Sequence, residues 1–305
     1  WDVEVISNRS SDLIREIDLI EEIARLIGYD QFDQNLPAPI NPGKLNSYQL
    51  AKRKLKNGFV ISGFNEVLTY SLVSDEDKTR IKISNPLLQE TSCLRNNIWQ
   101  EHIRICNQNI KAGRESCWIF ETGNIFVNSS TNNQIEILSG AISGNNYDEK
   151  WEFSGKTSEL NYYQARGKLR QVFSHLNVSV IDKPTDKYKY LHPGRTSLLI
   201  IEGKEAGYFG QINPKYIAEK RSLKNLFLFS IDIDKLLMAA IRTNKWTPIF
   251  KDYPIVPKIE RDINFIFNKD YLVSDIIGNI KKSGKPILEE VKLIDIYNDD
   301  NLDDK

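Results

Sequence analysis

With 305 residues, 40% of them apolar and 27% charged, the chain has the make-up of an ordinary soluble globular protein of two or three domains, each large enough for its own core. Its 41 Lys and Arg balance its 41 Asp and Glu, which excludes a globally basic nucleic-acid binder and makes any such surface local. Three cysteines without CxxC spacing, near only one histidine, argue against a zinc site or a disulfide framework and for reduced thiols. No run of eighteen apolar residues exists, so no membrane span or membrane partner is expected.

In chain order, the first element is the most informative. Leu13, Ile17, Ile20, Ala24 and Ile27 recur at helical spacing, with Ser11 or Asp12 as a cap and Gly28 as the stop. Asp18, Glu21 and Glu22 fall within about 100° of one another, off the greasy side. Asp18 and Glu22 are like charges four apart, a repulsion worth roughly 0.2–0.5 kcal/mol. A cation or a basic partner would relieve it; a solvated face partly neutralised by Arg25 is the plainer alternative.

Residues 36–46, rich in proline, read as a linker. A basic amphipathic helix follows over 47–62, ended by Gly63. Lys52, Arg53, Lys54 and Lys56 on it either touch RNA phosphates or form a solvated face. Strands are expected at 66–73, 82–87, 118–127, 135–142 and 226–233, and a hairpin at 196–202 and 205–212 around Gly203-Lys204. Helices are expected at 97–110 and 162–176. The fold class is therefore α+β, with a mainly antiparallel sheet and helices packed on one of its faces. Lys245 to Pro257 marks a second boundary; beyond it a strand at 261–267, a helix at 272–282, a turn at 284–286 and a strand at 288–297 make a β-α-β unit, the first half of a ferredoxin-like fold.

Chemistry-bearing clusters are sparse. His102, His175 and His192 lie far apart, and none has a nearby Ser or Cys in a nucleophile setting. Cys106, four residues after His102 on one helix face, reads as core packing. Arg95 and Arg195 are candidates for an α-phosphate contact, but they read more readily as structural or interface arginines. Gly194 and the glycines from Gly203 to Gly210 belong to turns, since no helix follows them directly. No catalytic residue is assigned.

The opening run from Arg9 and Asp12 through Asp18, Glu21 and Glu22 to Gly28-Tyr29-Asp30 resembles the end of the B5 module of the bacterial-type phenylalanine–tRNA ligase beta subunit. Further blocks resemble the same family in the same order: Asn85-Pro86-Leu87 with Ser92-Cys93-Leu94-Arg95, Phe120-Glu121-Thr122-Gly123-Asn124-Ile125-Phe126, His192-Pro193-Gly194-Arg195, and Gly207 through Pro214. Pro254 through Asp262, with Leu288 to Val291 and Asp295-Ile296-Tyr297, resembles its ferredoxin-fold anticodon-binding module. Gln211 and Asn213 replace the family's usual acid and histidine, and Asn96-Asn97-Ile98-Trp99 replaces a Ser-Leu-x-Pro-Gly run.

The resemblance implies four parts: the end of a B5 module over 1–35, the linker, a non-catalytic class II synthetase-like core over 47–242, and a partial anticodon-binding domain over 243–305. It implies a Mg2+ ion at Asp12, Asp18, Glu21 and Glu22, shared with an alpha subunit that holds ATP and phenylalanine, within an α2β2 tetramer that binds tRNA-Phe. Hard carboxylate oxygens suit that ion. Lys281, Lys282 and Lys285 become candidate tRNA contacts. The core carries no Gly-x-Gly-x-Gly-x-x-Arg run of the kind that supports ATP in active class II cores. The family's editing module is not among these residues. A chain that starts without methionine and stops in an acidic tail is expected to be a fragment. Abundant Ile, Lys and Asn point to a plastid stroma, or else to the cytoplasm of a low-GC bacterium. Two other readings stay open: a free-standing RNA-binding or interaction protein built from the same modules, and an autonomous enzyme.

Overall fold

A computed structural model describes residues 2–36, 42–127, 134–145, 158–217, 223, 225–242, 250, 252–268 and 271–297. The chain divides into two compact units, Trp1–Pro248 and Ile249–Lys305. Residues 37–41 of the expected linker, the start of the second boundary and the acidic tail lie outside the described residues.

Helix α1 (Glu16–Ile27) opens the first unit. It starts later than the apolar spacing predicts, and neither Ser11 nor Asp12 caps it. Instead the Asp18 carboxylate reaches back and accepts from the Arg15 backbone N–H (2.8 Å), satisfying a donor that the first turn leaves free. Gly28, at φ +98°, ends it as expected. None of its residues is buried, and Ile17, Ile20, Ile23 and Ile27 each remain half or more exposed.

Helix α2 (Ser47–Ile61) is held at its start by a reciprocal box: Gln49 N–H donates to Asn46 Oδ1, and Asn46 N–H donates to Gln49 Oε1. The strand expected at 66–73 splits into β1 (Asn65–Glu66) and β2 (Leu72–Val73). Between them Leu68 and Tyr70 face solvent. The strand expected at 82–87 shrinks to β3 (Ile81–Lys82), because Pro86 can donate no ladder bond. β4 (Cys93–Leu94) pairs with β2 and β3 in a small three-stranded sheet. Helix α3 (Trp99–Lys111) follows.

The main sheet is built from β5 (Ser116–Phe126), β6 (Gln134–Gly144), β7 (Val180–Pro184), β8 (Leu191–Ile201), β9 (Lys204–Ile212) and β10 (Leu226–Asp232), with β1 at one edge. Its order is β1-β5-β6-β10-β9-β8-β7, and every pairing except β1 with β5 is antiparallel. Helices α4 (Tyr162–His175), α5 (Pro214–Ile217) and α6 (Ile233–Ile241) complete the unit.

Alternation along the strands builds two cores rather than one. Trp118, Phe120, Phe227 and Phe229 meet α2, α4 and α6 through Leu55, Phe59, Leu169 and Leu236. Phe59 stacks on Phe120 with centroids 4.5 Å apart. Each such buried ring contributes about 1.5–3 kcal/mol over leaving it exposed. Cys117, Ile119, Leu226 and Leu228 face the other way and meet Ile103 and Cys106 of α3. Helices thus cover both faces, which corrects the one-face expectation. The central strands are apolar on each side, and that is the pattern of a strand sandwiched between layers.

In the second unit, helix α7 (Val273–Ser283) forms where expected. The flanking segments 261–267 and 288–297 are not strands, which corrects the β-α-β expectation. A strand is defined by a paired neighbour, and among the described residues neither segment has one.

Candidate functional site

The acidic end comes together around an arginine. The Arg9 guanidinium donates through Nε to Asp12 Oδ2 (2.9 Å) and through Nη2 to Glu22 Oε1 (2.6 Å). Arg25 binds the other oxygen of Glu22. Asp18 accepts from Arg15 Nη2 (3.0 Å) and from the backbone N–H groups of Ile14 and Arg15. Hydrogen bonds from these arginines hold the carboxyls of Asp12, Asp18 and Glu22 below their usual range, and push Arg9 up in return. Glu21 is exposed and, among the described residues, engages no arginine. The missed residues are Arg9 and Arg15, whose signal was their spacing three ahead of Asp12 and Asp18.

For a divalent cation the donor chemistry is right, but the donors are not gathered. Among the described residues, no three His, Cys, Asp or Glu side chains are grouped to hold a metal. An ion bridging Asp12 and Glu22 would have to displace Arg9.

A second polar cluster lies inside the core. Arg95 is 2% exposed and Glu121 is fully buried. Arg95 Nη1 donates to Glu121 Oε1 (2.9 Å) and Thr69 Oγ1 (2.7 Å), and its Nε donates to the Asn124 carbonyl (2.7 Å). Thr69 Oγ1 donates to Glu121 Oε2 (2.7 Å). His102 sits 3.6 Å from that oxygen through Nε2, and its Nδ1 is 3.4 Å from Ser139 Oγ. Burial pushes the Glu121 carboxyl up, yet His102, Thr69 and Arg95 outweigh it and leave it below its ordinary value. Burial lowers the His102 imidazole against the pull of Glu121. Gly123 makes room, since a Cβ there would meet the Arg95 guanidinium and come within 2.9 Å of Glu121 Oε1.

The remaining candidates do not join either cluster. Arg195 Nη1 donates to Gln211 Oε1 (2.8 Å), and Gln211 passes the chain on to Asn225. His192 Nδ1 accepts from the Gly194 N–H. His175 packs beside Gly58. On the basic helix, Lys52 pairs with Glu136 and Lys56 with Glu66, which spends two of its cations within the chain. In the second unit, Lys281 and Lys282 occupy the last turn of α7, where cations suit the helix dipole, and Lys285 follows in the turn; all three are exposed.

A family profile described as the phenylalanyl tRNA synthetase beta chain CLM domain matches residues 34–233, and one described as the ferredoxin-fold anticodon binding domain matches 254–305. The phenylalanine–tRNA ligase beta subunit of Prochlorococcus marinus (strain MIT 9312) is 66% identical over 302 residues, which is 99% of this chain and 37% of that protein. That of P. marinus subsp. pastoris (strain CCMP1986 / NIES-2087 / MED4) is 62% identical, with 99% of this chain and 37% of the relative covered. That of Synechococcus sp. (strain CC9902) is 44% identical, covering the whole of this chain and 38% of the relative. The chain therefore spans little more than a third of the relatives it matches. Among the described residues no helix is long and apolar enough to cross a membrane.

Proposed function

Because the chain belongs to the phenylalanyl tRNA synthetase beta chain family, we propose that it is a non-catalytic part of a phenylalanine–tRNA ligase beta subunit. It supports ATP-dependent attachment of phenylalanine to tRNA-Phe by an alpha subunit in an α2β2 assembly. The main sheet is read as a class II synthetase-like core, residues 1–35 as the end of a B5 module, and residues 243–305 as part of the anticodon-binding domain. The cyanobacterial origin of the relatives suits a bacterial cytoplasm or a plastid stroma.

The observation that carries the non-catalytic reading is the Arg95–Glu121 pair. Adenylate formation needs an arginine on the α-phosphate and carboxylates for the metal, because catalysis there is positioning and charge stabilisation. Arg95 and Glu121 are shut in the core and spend their hydrogen bonds on one another, Thr69 and Asn124. Arg195 is held by Gln211. These groups shape the sheet and do not wait for a nucleotide.

Mg2+ sharing with alpha rests on the acid chemistry of Asp12, Asp18, Glu21 and Glu22. Arg9, Arg15 and Arg25 already neutralise three of these acids. Asp12, Asp18, Glu21 and Glu22 would hold the ion together with the alpha chain, and amides at Asp18, Glu21 and Glu22 are expected to weaken Mg2+-dependent association with alpha. Lys281, Lys282 and Lys285 supply tRNA phosphate contacts.

ATP–pyrophosphate exchange with a mixture of amino acids, run with and without an alpha chain, tests the proposal. Phenylalanine-dependent exchange only when alpha is present is expected. Exchange by this chain alone overturns it in favour of an autonomous enzyme. Tight, salt-sensitive RNA binding with no response to alpha overturns it in favour of a free-standing RNA-binding protein.

A further inference from the structure

We propose that Arg9 is a built-in counter-ion that closes Asp12 and Glu22 to divalent cations while this chain stands alone. This role rests on reading Asp12, Asp18, Glu21 and Glu22 as carboxylates that take Mg2+ together with an alpha chain. A 3-10 turn over Ser7–Arg9 brings the arginine to the acids. The Leu13 N–H donates to the Arg9 carbonyl (3.0 Å), which folds Arg9 and Asp12 into one bend. From there Arg9 Nε donates to Asp12 Oδ2 (2.9 Å) and Oδ1 (3.2 Å). One nitrogen then spans both carboxylates: Arg9 Nη2 stands 2.8 Å from Asp12 Oδ2 and 2.6 Å from Glu22 Oε1. Asp12 precedes α1 and Glu22 lies within it, so the guanidinium ties the entry segment to the helix.

Carboxylates bind Mg2+ with the ion between their oxygens, about 2.0–2.1 Å from each. Between Asp12 and Glu22 that place belongs to Arg9 Nη2. A guanidinium suits it, because the planar fork never loses its charge and matches carboxylate geometry. Two cations in one such gap repel, so a divalent ion and Arg9 exclude each other there.

Arg9 differs in this from the other two arginines of the cluster. Arg15 pairs with Asp18 and Arg25 with Glu22, each engaging one acid, whereas Arg9 joins two. Its side chain keeps 36% of its surface in water and belongs to neither buried core. Arg9 can therefore swing outward without unpacking the fold, which is what a displaceable counter-ion needs. A guanidinium sealed into the protein, as at Arg95, has no such exit.

The test counts Mn2+ bound to the 305-residue chain, without alpha, from the electron paramagnetic resonance signal of the free ion. Arg9→Met keeps the aliphatic stem and removes the fork. It is expected to bind one Mn2+ at least about tenfold more tightly than the wild type, since even one charge-assisted hydrogen bond held by a competitor is worth that factor. Adding Glu22→Gln to Arg9→Met is expected to abolish the gain. Equal binding by the wild type and Arg9→Met overturns the proposal, as does a gain that survives Glu22→Gln. The wild type supplies a readout that needs no variant to fold. With isotope-labelled arginine, the Arg9 Nε–H resonance is expected to hold its position as millimolar Mg2+ is added, and a shift or loss of that resonance in the chain alone overturns the proposal too. Association with an alpha chain that ignores Mg2+ would instead end the shared-metal reading, a measurement separate from the Mn2+ titration.

Discussion

The guanidinium of Arg95 donates to the carboxylate of Glu121 across 2.9 Å, with 3% and 1% of the two side chains exposed. Twenty-six residues separate the partners, and the backbone at Asn124 and the hydroxyl of Thr69 complete the shell around them. Removing one charge from such a pair strands the other away from water.

Glu121→Gln or Arg95→Met alone is therefore expected to cost roughly 3–5 kcal/mol, read from urea midpoints at unchanged slope. The double variant Arg95→Met, Glu121→Leu leaves no buried charge. It is expected to recover most of that loss. A double variant as weak as the sum of the singles would show that the pair's shape, not its charge, carries the stability.

Gly123→Ala acts on the same cluster without touching a charge. The added methyl crowds the Arg95 guanidinium and Glu121 Oε1. An overpacked site of this kind loses about 1–3 kcal/mol, and thermal denaturation will show it as a lower midpoint. Gly203→Ala in the hairpin turn, where a Cβ meets no neighbour, serves as the comparison for strain at positive φ alone.

Acid should weaken the fold in two stages. The folded pKa of His102 lies below the ordinary 6.5, so the unfolded chain takes up its proton first. Stability is then full above about pH 6.5 and falls as the pH drops below it. At lower pH the depressed carboxyls of Glu121, Asp12, Asp18 and Glu22 are protonated and their contribution goes too. His102→Gln is expected to flatten the first stage and leave the second. Urea midpoints measured across pH will separate them, and added salt will blunt the share from the exposed acidic end.

Replacing Lys281, Lys282 and Lys285 with alanine should lower tRNA affinity for all sequences alike. Each lost phosphate contact reduces the slope of log K against log salt by about 0.7–0.9. An unchanged slope in the assembled ligase would remove these lysines from the tRNA surface.

What could be read from the sequence was what periodicity encodes. The strands at 118–127, 135–142 and 226–233, and the hairpin around Gly203, announce themselves by runs of β-branched and aromatic residues with turn glycines. The run at 66–73 had the same composition, but its two ends pair with different strands, β5 and β4, and pairing is not written in one strand. The cap of α1 was misplaced because Asp18 works backwards from the third turn position, a role that looks like surface charge. Glu121 was visible in its Phe-Glu-Thr-Gly block. Its burial was not, since Arg95 and Thr69, distant in sequence, make that burial tolerable. The Arg9 bridge between Asp12 and Glu22 escaped notice for the same reason: it joins residues thirteen apart around a bend.

From Ser116 to Phe120, β5 carries nothing charged, so greasiness by itself cannot tell the strand which flank belongs to which helices. A slide of one position would send Glu121 toward Phe59 and Phe229 and present Phe120 to Arg95. Carrying a lone acid that Arg95 meets on one side while rings line the other, the strand is keyed like an asymmetric plug: the wrong insertion is barred by the cost of a naked charge among rings.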